Sequence, residues 1–379
     1  MKIGINAFGC KHGRSGIGAY VYSLVNNLPE IEHEVSIFGP ELDRYTYTSD
    51  IDYVAYEGIS IDDTEFAEKL WHKTHFNAFV QKTKYDAVLF PAGTGLLPIA
   101  NFSKPVFLVI QEPIEPEKKS LFGFFSKFSN KMIFEKATGI IAPTKYIKKS
   151  LIEAGIPKNK IKVIHNGINT DIFHPRKINE NEVALMEPFA IRRPYIIYAS
   201  RISEPEKHHV ELIRGFSIFK QKTNAPHRLV IAGAEGENAD IVYNEVMDSP
   251  VSSDILLTGY IEHEKLANLY VASDLCIFPS TIEGVGLPVI EAMACGIPTA
   301  CANAGALPEI AGYASHFFDP ENPEAISAAI MELATFSDGS TDDYRQKMTE
   351  KGLEWVKKYN WTKTSIQTFD YITDLLSNL

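Results

Sequence analysis

TIEGVGLPVIEAMACGIPTA, residues 281–300, sets two glutamates, Glu283 and Glu291, eight positions apart around a glycine-proline knot. The residues before it, LCIFPS (275–280), read as a buried strand. LPVIEAMACG reads as a helix, with Pro288 near its first turn, where proline is favoured, and Gly296 as its stop. A strand, a glycine-rich loop at its carboxyl end and a helix are the parts of a βαβ unit, and so of a parallel sheet. The N–H groups of Val285, Gly286 and Leu287 then face outward at a helix start, where anions bind. Carboxylates only accept hydrogen bonds, so two of them beside an anion site call for hydroxyl donors. A sugar nucleotide carries ribose hydroxyls, a diphosphate and sugar hydroxyls. Read singly, Glu291 is a helix-dipole residue and Glu283 a solvated loop acid; the combination favours a ligand.

The same alternation runs along the chain. KIGINAF (2–8), EVSIFG, AVLFP (87–91), VFLVI (106–110), GIIAPT (139–144) and KIKVIHNGIN are apolar strands separated by helical patterns, among them 17–28 and 64–83. The pattern lapses over 172–194, bracketed by Pro175, Pro188 and Pro194, which reads as a linker. It restarts with YIIYAS, RLVIAG, DILLTG, LCIFPS and PTACAN. The final forty or so residues read as two helices joined at YNWTK, with Asn360 or Thr362 as a cap. The expected architecture is α/β: two doubly wound domains facing across a cleft, 1–178 with a terminal helix 362–379, and 190–361. Ligands of such sheets bind beyond the carboxyl ends of the strands.

Composition is that of an ordinary globular protein, 45% apolar and 22% charged, and 379 residues suit two domains. The net charge of −11 argues against nonspecific nucleic-acid binding by the whole chain. The four scattered cysteines carry no CxxC pair and read as reduced and structural, which suits a cytoplasmic protein. No signal peptide is expected from the first residues, and no apolar run reaches the roughly 18 residues of a membrane span.

Two further motifs bear on the ligand. In YASRISEPEKHHVELIRGF a strand ends before Arg201, and Lys207 follows at a helix start. Two cations at a strand end hold a diphosphate, Arg bidentately; alone, the segment is equally a solvated helix start. In KHGRSGIGAY, Gly13, Gly16 and Gly18 follow the first strand with GxxGxG rather than GxGxxG spacing. No acid ends the second strand, so a NAD site is disfavoured. Gly16 and Gly18 read instead as backbone approaching phosphate or sugar.

EGVGLPVIEAMACGIP resembles the E-x7-E region of retaining glycosyltransferase family 4, which has the GT-B fold. VIHNGINTDIFHP, SRI with its later lysine, ILLTGYIEHEKLANLYVASDLCIFPS, NAGALPEIAG and YNWTKTSIQTF resemble other segments of that family, so that the resemblance covers almost the whole chain and is densest over residues 195–320. It implies that Glu291 holds the ribose, Glu283 meets the donor sugar, Arg201 and Lys207 bind the diphosphate, and backbone at Tyr260 and Ile261 meets the base. It also implies Gly16 and Gly18 at the diphosphate, no divalent metal, no tightly bound cofactor, a nucleotide-diphosphate sugar such as a UDP- or GDP-sugar as donor, and a glycan, lipid-linked glycan or small molecule as acceptor. Many members carry His-Asp after the strand corresponding to VFLVI. Here Gln111, Glu112 and Pro113 follow, and Gln111 does not titrate, which leaves Gln111 and Glu112 as acceptor-side candidates. His12, His72 and His75 have no motif around them and read as structural or surface. In EKKSLFGFFSKFSNKMIFEK (117–136), Phe122, Phe125, Phe128, Met132 and Ile133 share a face beside several lysines. The helix either packs on its own domain or lies on an anionic membrane. A sugar-nucleotide-binding subunit without catalysis and an NAD oxidoreductase stand as competing functions.

Overall fold

The computed structural model describes the chain except residues 31, 49–52, 98–101, 115–131, 178–183, 187–188 and 337. It divides into two compact units: Met1–Gly167 with Tyr359–Leu379, and Ile168–Lys358. Most of the amphipathic segment 117–136 lies outside the described residues. Of its last part, residues 132–136 are helical, with Ile133 and Phe134 buried.

The first unit holds β1 (Lys2–Asn6), β2 (Glu34–Pro40), β3 (Ala55–Ile59), β4 (Ala87–Phe90), β5 (Val106–Val109), β6 (Gly139–Ala142) and β7 (Ile161–Val163). They form one parallel sheet in the order β3-β2-β1-β4-β5-β6-β7. β4, β5 and β6 are buried throughout, which is why they read as unbroken apolar runs. β3, an edge strand of sequence AYEGI, shows no such run, and the sequence gives no strand there. The helical stretch expected over 64–83 divides at His75, where φ falls to −116° between Glu65–Thr74 and Phe76–Thr83. The final helix, Trp361–Ser377, is capped by the Asn360 side chain, which accepts from Lys363 N at 3.0 Å. It packs on this unit: Ser365 Oγ donates to Leu24 O (2.6 Å) and Tyr371 Oη to Lys160 O (2.8 Å). Trp361, Phe369 and Ile372 join Tyr20, Val21 and Leu24 in its core.

The second unit begins with an antiparallel pair, β8 (Ala184–Met186) and β9 (Phe189–Ile191), inside the stretch expected as linker. Its main sheet comprises β10 (Tyr195–Ala199), β11 (Arg228–Ala232), β12 (Ile255–Leu257), β13 (Leu275–Phe278), β14 (Thr299–Ala302) and β15 (His316–Phe318). The order is β12-β11-β10-β13-β14-β15, all parallel. The order reverses between β10 and β13, and the carboxyl ends of strands at such a reversal are where doubly wound sheets bind ligands. All four cysteines are free and buried, three of them in runs whose apolar character in the sequence implies it.

Behind the sheet a buried polar clamp holds the start of β13. Asp274 accepts from His227 Nε2 (2.8 Å) and Thr335 N (2.7 Å), and pairs with Arg345 Nη2 (3.2 Å). Burial pushes its carboxyl group up, but the His227 bond and the Arg345 charge outweigh this and hold it below the usual value.

Candidate functional site

The loop after β13 runs from Pro279 through Ser280 to Gly286; the one after β10 carries Arg201 and turns at Lys207 into the helix His209–Thr223. Because β10 and β13 are neighbours, residues 76 positions apart meet: Lys207 Nζ lies 2.9 Å from Glu283 Oε2 and donates to Ser280 Oγ at 3.3 Å. Both side chains are largely buried, 22% and 17% exposed. Glu283 Oε1 also accepts from Gly286 N at 3.3 Å. The carboxylate therefore bridges an ammonium group and the N–H of Gly286, the N-cap of the helix Leu287–Ala294, where the helix dipole favours negative charge.

Gly286 caps that helix with φ at +70°, and a Cβ there would come within 3.1 Å of Ile310. Left-handed backbone and close packing together call for glycine. Gly305, in the loop after β14, has φ of +60°, and a Cβ there would lie 2.9 Å from Thr281 O and 3.1 Å from Glu283 N. NAGALPEIAG thus buttresses the backbone that presents Glu283, and Ala306 N donates to Glu283 O at 2.9 Å.

Glu291 sits within the same helix. It is 8% exposed, its carboxylate oxygens reach solvent, and they accept no hydrogen bond among the described residues. Burial alone pushes its carboxyl group up to about 8. A carboxyl group buried without a donor is the environment that a hydroxyl-bearing ligand completes.

Arg201 is exposed and forms no ion pair among the described residues. Its aliphatic stem lies against Gly236, where a Cβ would come within 2.7 Å of its Cδ. Tyr260, 65% exposed, and Ile261 stand in the loop between β12 and the helix His263–Ala272, and Gly259 O in that loop accepts from Gly233 N at 2.9 Å. The second unit thus brings Glu283, Lys207, Val285, Gly286 and Leu287 together. Glu291 lies farther along their helix, and Arg201, Tyr260 and Ile261 stand in separate loops after neighbouring strands.

In the first unit the loop after β1 makes a tight left-handed turn, with φ of 50°, 54° and 76° at Lys11, His12 and Gly13. A Cβ on Gly18 would come within 2.7 Å of Cys10 O, whereas one on Gly16 would meet nothing within 4 Å. Ser15 accepts from Gly18 N at 3.0 Å and donates to Cys10 O at 2.8 Å. The GxxGxG spacing is therefore explained by packing at Gly13 and Gly18. His12 pairs with Asp43 (2.5 Å) and Asp63 (3.1 Å), and its bond to Asp43 holds it above the usual imidazole value. His72 is buried against Asn6 (2.7 Å), and burial lowers it to about 4. His75 is an exposed helix boundary. Gln111 follows β5, its Nε2 buried without a partner among the described residues, and Glu112 is exposed. Beside β2 and β3 a cavity of about 310 Å³ is lined by Glu41, Leu42, Asp62, Asp63 and Glu68 among others.

Sequence reasoning missed His208 and Thr281, whose side chains link the loops of Lys207 and Glu283 at 3.1 Å. Neither belongs to a spacing motif; the adjacent histidines 208 and 209 were the only signal. Among the described residues no cluster of three or more His, Cys, Asp or Glu could hold a metal ion, and no helix is long and apolar enough to cross a membrane.

The chain matches the family Glycosyl transferases group 1 over residues 186–355 and the family Glycosyltransferase Family 4 over residues 14–172. Among curated proteins it is similar to the O-antigen chain mannosyltransferase B of Escherichia coli, 32% identical over 46% of this chain and 45% of that protein. It is 27% identical to the serotype-specific mannosyltransferase WbdA of Escherichia coli over 66% of this chain and 31% of that one. The matched region thus spans less than half the length of these relatives. Among solved structures, sucrose-phosphate synthase of Thermosynechococcus elongatus superposes with a TM-score of 0.74 at 18% identity, over 100% of both chains. Anabaena Alr3699/HepE in complex with UDP-glucose does so with a TM-score of 0.73 at 16% identity, over 99% of this chain and 100% of that one. At such identities these two show the fold alone. With family matches that together span most of its length and two parallel Rossmann-like sheets, the chain belongs to the group 1, family 4 glycosyltransferases and has the GT-B fold.

Proposed function

We propose that the protein transfers a hexose from a nucleotide-diphosphate sugar to an acceptor hydroxyl, with retention at the anomeric carbon. The observation that carries the reading is the pair of acids on one helix start: Glu283 held by Lys207 and Gly286 N, and Glu291 buried without a donor. In this reading Glu291 takes the ribose hydroxyls and Glu283 those of the donor sugar. Arg201, the remaining N–H of Lys207 and the N–H groups of Val285 and Leu287 take the diphosphate, while the Gly286 N–H stays on Glu283. Backbone at Tyr260 and Ile261 meets the base, and Gly16 and Gly18 present backbone to substrate.

The anomeric carbon–phosphate oxygen bond breaks, and the acceptor oxygen bonds to the same carbon from the same face. The acceptor's proton passes to the departing phosphate oxygen. Such a step needs positioning and electrostatics rather than a strong base. Arg201 and Lys207 supply the positive charge for the leaving diphosphate, so the reading calls for no metal ion. The names of the curated relatives favour mannose as the hexose. On the acceptor side, the orphaned Gln111 Nε2 and Glu112 are candidates for sugar-hydroxyl contacts. The acid-lined cavity beside β2 and β3 suits an uncharged glycan end, because its carboxylates accept hydroxyl protons and repel phosphate.

Purified protein incubated with GDP- and UDP-sugars and a set of glycan acceptors tests the reading. Release of nucleoside diphosphate that depends on both donor and acceptor supports it. Full activity in both Glu283→Ala and Glu291→Ala would sink the site assignment.

A further inference from the structure

Lys207 and Glu283 stand on different loops, and their contact depends on those loops keeping register. Beyond the contacts of Lys207 itself, four hydrogen bonds tie them: Thr281 N to Glu206 O (3.0 Å), Thr281 Oγ1 to Glu206 O (3.3 Å), Ser280 Oγ to Glu206 O (3.4 Å), and His208 Nε2 with Thr281 Oγ1 (3.1 Å). His208 directly follows Lys207 and is 9% exposed. Its backbone is left-handed, with φ of 51°, an uncommon conformation for a residue other than glycine. Its Nδ1 faces Glu211 Oε2 at 3.2 Å.

The protons follow from these partners. A carboxylate only accepts, so His208 Nδ1 carries a proton. Thr281 has one hydroxyl proton; given to Glu206 O (3.3 Å), it leaves the hydroxyl oxygen to accept from His208 Nε2 (3.1 Å), and with both ring nitrogens donating the ring is an imidazolium. Given instead to Nε2, it leaves the ring neutral. Three acids favour its charged form, Glu211 on its own helix, Glu204 in the preceding loop and Glu321 ahead of the helix Pro323–Leu333, while the neighbouring cation, Lys207, is engaged by Glu283 and Ser280. The Glu211 bond holds His208 above the usual imidazole value against the opposing effect of burial.

We propose that His208 is a positioning residue of the diphosphate site, its imidazolium fixing the loop register that sets Lys207 against Glu283. The inference rests on the donor-site reading above. When His208 loses its Nε2 proton, that nitrogen becomes an acceptor. The Thr281 hydroxyl then turns to it and leaves Glu206 O, so one cross-loop bond is lost. Diphosphate affinity falls as pH rises through this titration.

Calorimetric binding of UDP, GDP and ADP from about pH 6 to about pH 9 tests this in the wild type, His208→Gln and Thr281→Val. The first variant is neutral at every pH; the second keeps the ring and removes its cross-loop partner. Relative to either variant, wild-type affinity should fall roughly two- to tenfold over the window, the scale of one net hydrogen bond. Titration of Glu291 acts alike in all three proteins and cancels in the ratio. Parallel pH profiles would overturn the inference. So would an NMR titration of the wild-type His208 ring with its midpoint at or below the usual imidazole value, a result that needs no variant to fold. If the wild type binds none of the three nucleotides, the donor-site reading itself fails and takes this inference with it.

Discussion

A carboxyl group buried without a donor binds its proton more tightly in the folded protein than in the unfolded chain. Glu291 does so, with its value pushed up to about 8 by burial. The sign follows: the cost of burying Glu291 is absent below the ordinary carboxylate value, grows as pH rises toward about 8, and levels off above it. Glu291→Gln should remove this alkaline loss of thermal stability in unfolding scans across that range. Ligand hydroxyls bonded to Glu291 favour its charged form. Nucleotide binding near neutral pH should therefore release a proton, and affinity should rise with pH up to about 8. Calorimetry in buffers of different ionisation enthalpy measures that proton, and Glu291→Gln should abolish it while weakening binding by ~1.5–3 kcal/mol. Lys207 and Glu283 differ from Glu291 because each already holds the other. Lys207→Met should leave Glu283 without its cation and cut turnover by roughly a hundredfold or more, the range for lost transition-state charge stabilisation. Unchanged kcat would remove Lys207 from the reaction.

At the scale of elements, the start of the helix Leu287–Ala294 is set by Gly286, with a left-handed φ and Ile310 close behind it. Gly286→Ala should cost ~1–2 kcal/mol in denaturant unfolding, the cost of a side chain in that conformation. It should also weaken nucleotide binding, because it displaces the N–H that Glu283 accepts from. The other end of the same βα unit depends on Asp274, whose carboxylate gathers His227, Thr335 and Arg345 at the start of β13. Its carboxyl group is held below the usual value, so its contribution is present above that value and lost as pH falls through the lowered one. Asp274→Ala leaves Arg345 without its buried partner and should cost ~3–5 kcal/mol. Thermal unfolding compared at neutral and acidic pH checks this: the difference between wild type and variant should shrink in acid.

Over the whole molecule, the last helix completes the first unit, which the chain leaves at Gly167 and rejoins at Tyr359. Trp361, Phe369 and Ile372 cover Tyr20 and Leu24, and a Cβ on Gly167 would come within 2.3 Å of Trp361 N. Removal of residues 359–379 should abolish the unfolding transition of the first unit in calorimetry while that of the second persists. Much of this plan was legible in the sequence. Runs such as AVLF and LCIF mark strands covered on both faces, and Asn360 marks a helix cap, because burial of both faces and capping leave their trace within a few adjacent residues. The edge strand β3 left no such trace, since an edge strand is covered on fewer sides and tolerates glutamate and glycine. At the candidate site, Glu283, Lys207, Arg201 and Glu291 were readable as acids and cations at loop and helix starts. Their relation was not. The 2.9 Å contact of Lys207 with Glu283 and the His208–Thr281 link join residues more than seventy positions apart. Local pattern tells which segments become strands and helices. Which loops then meet follows from strand order, and β10 lies beside β13 only once the sheet has formed.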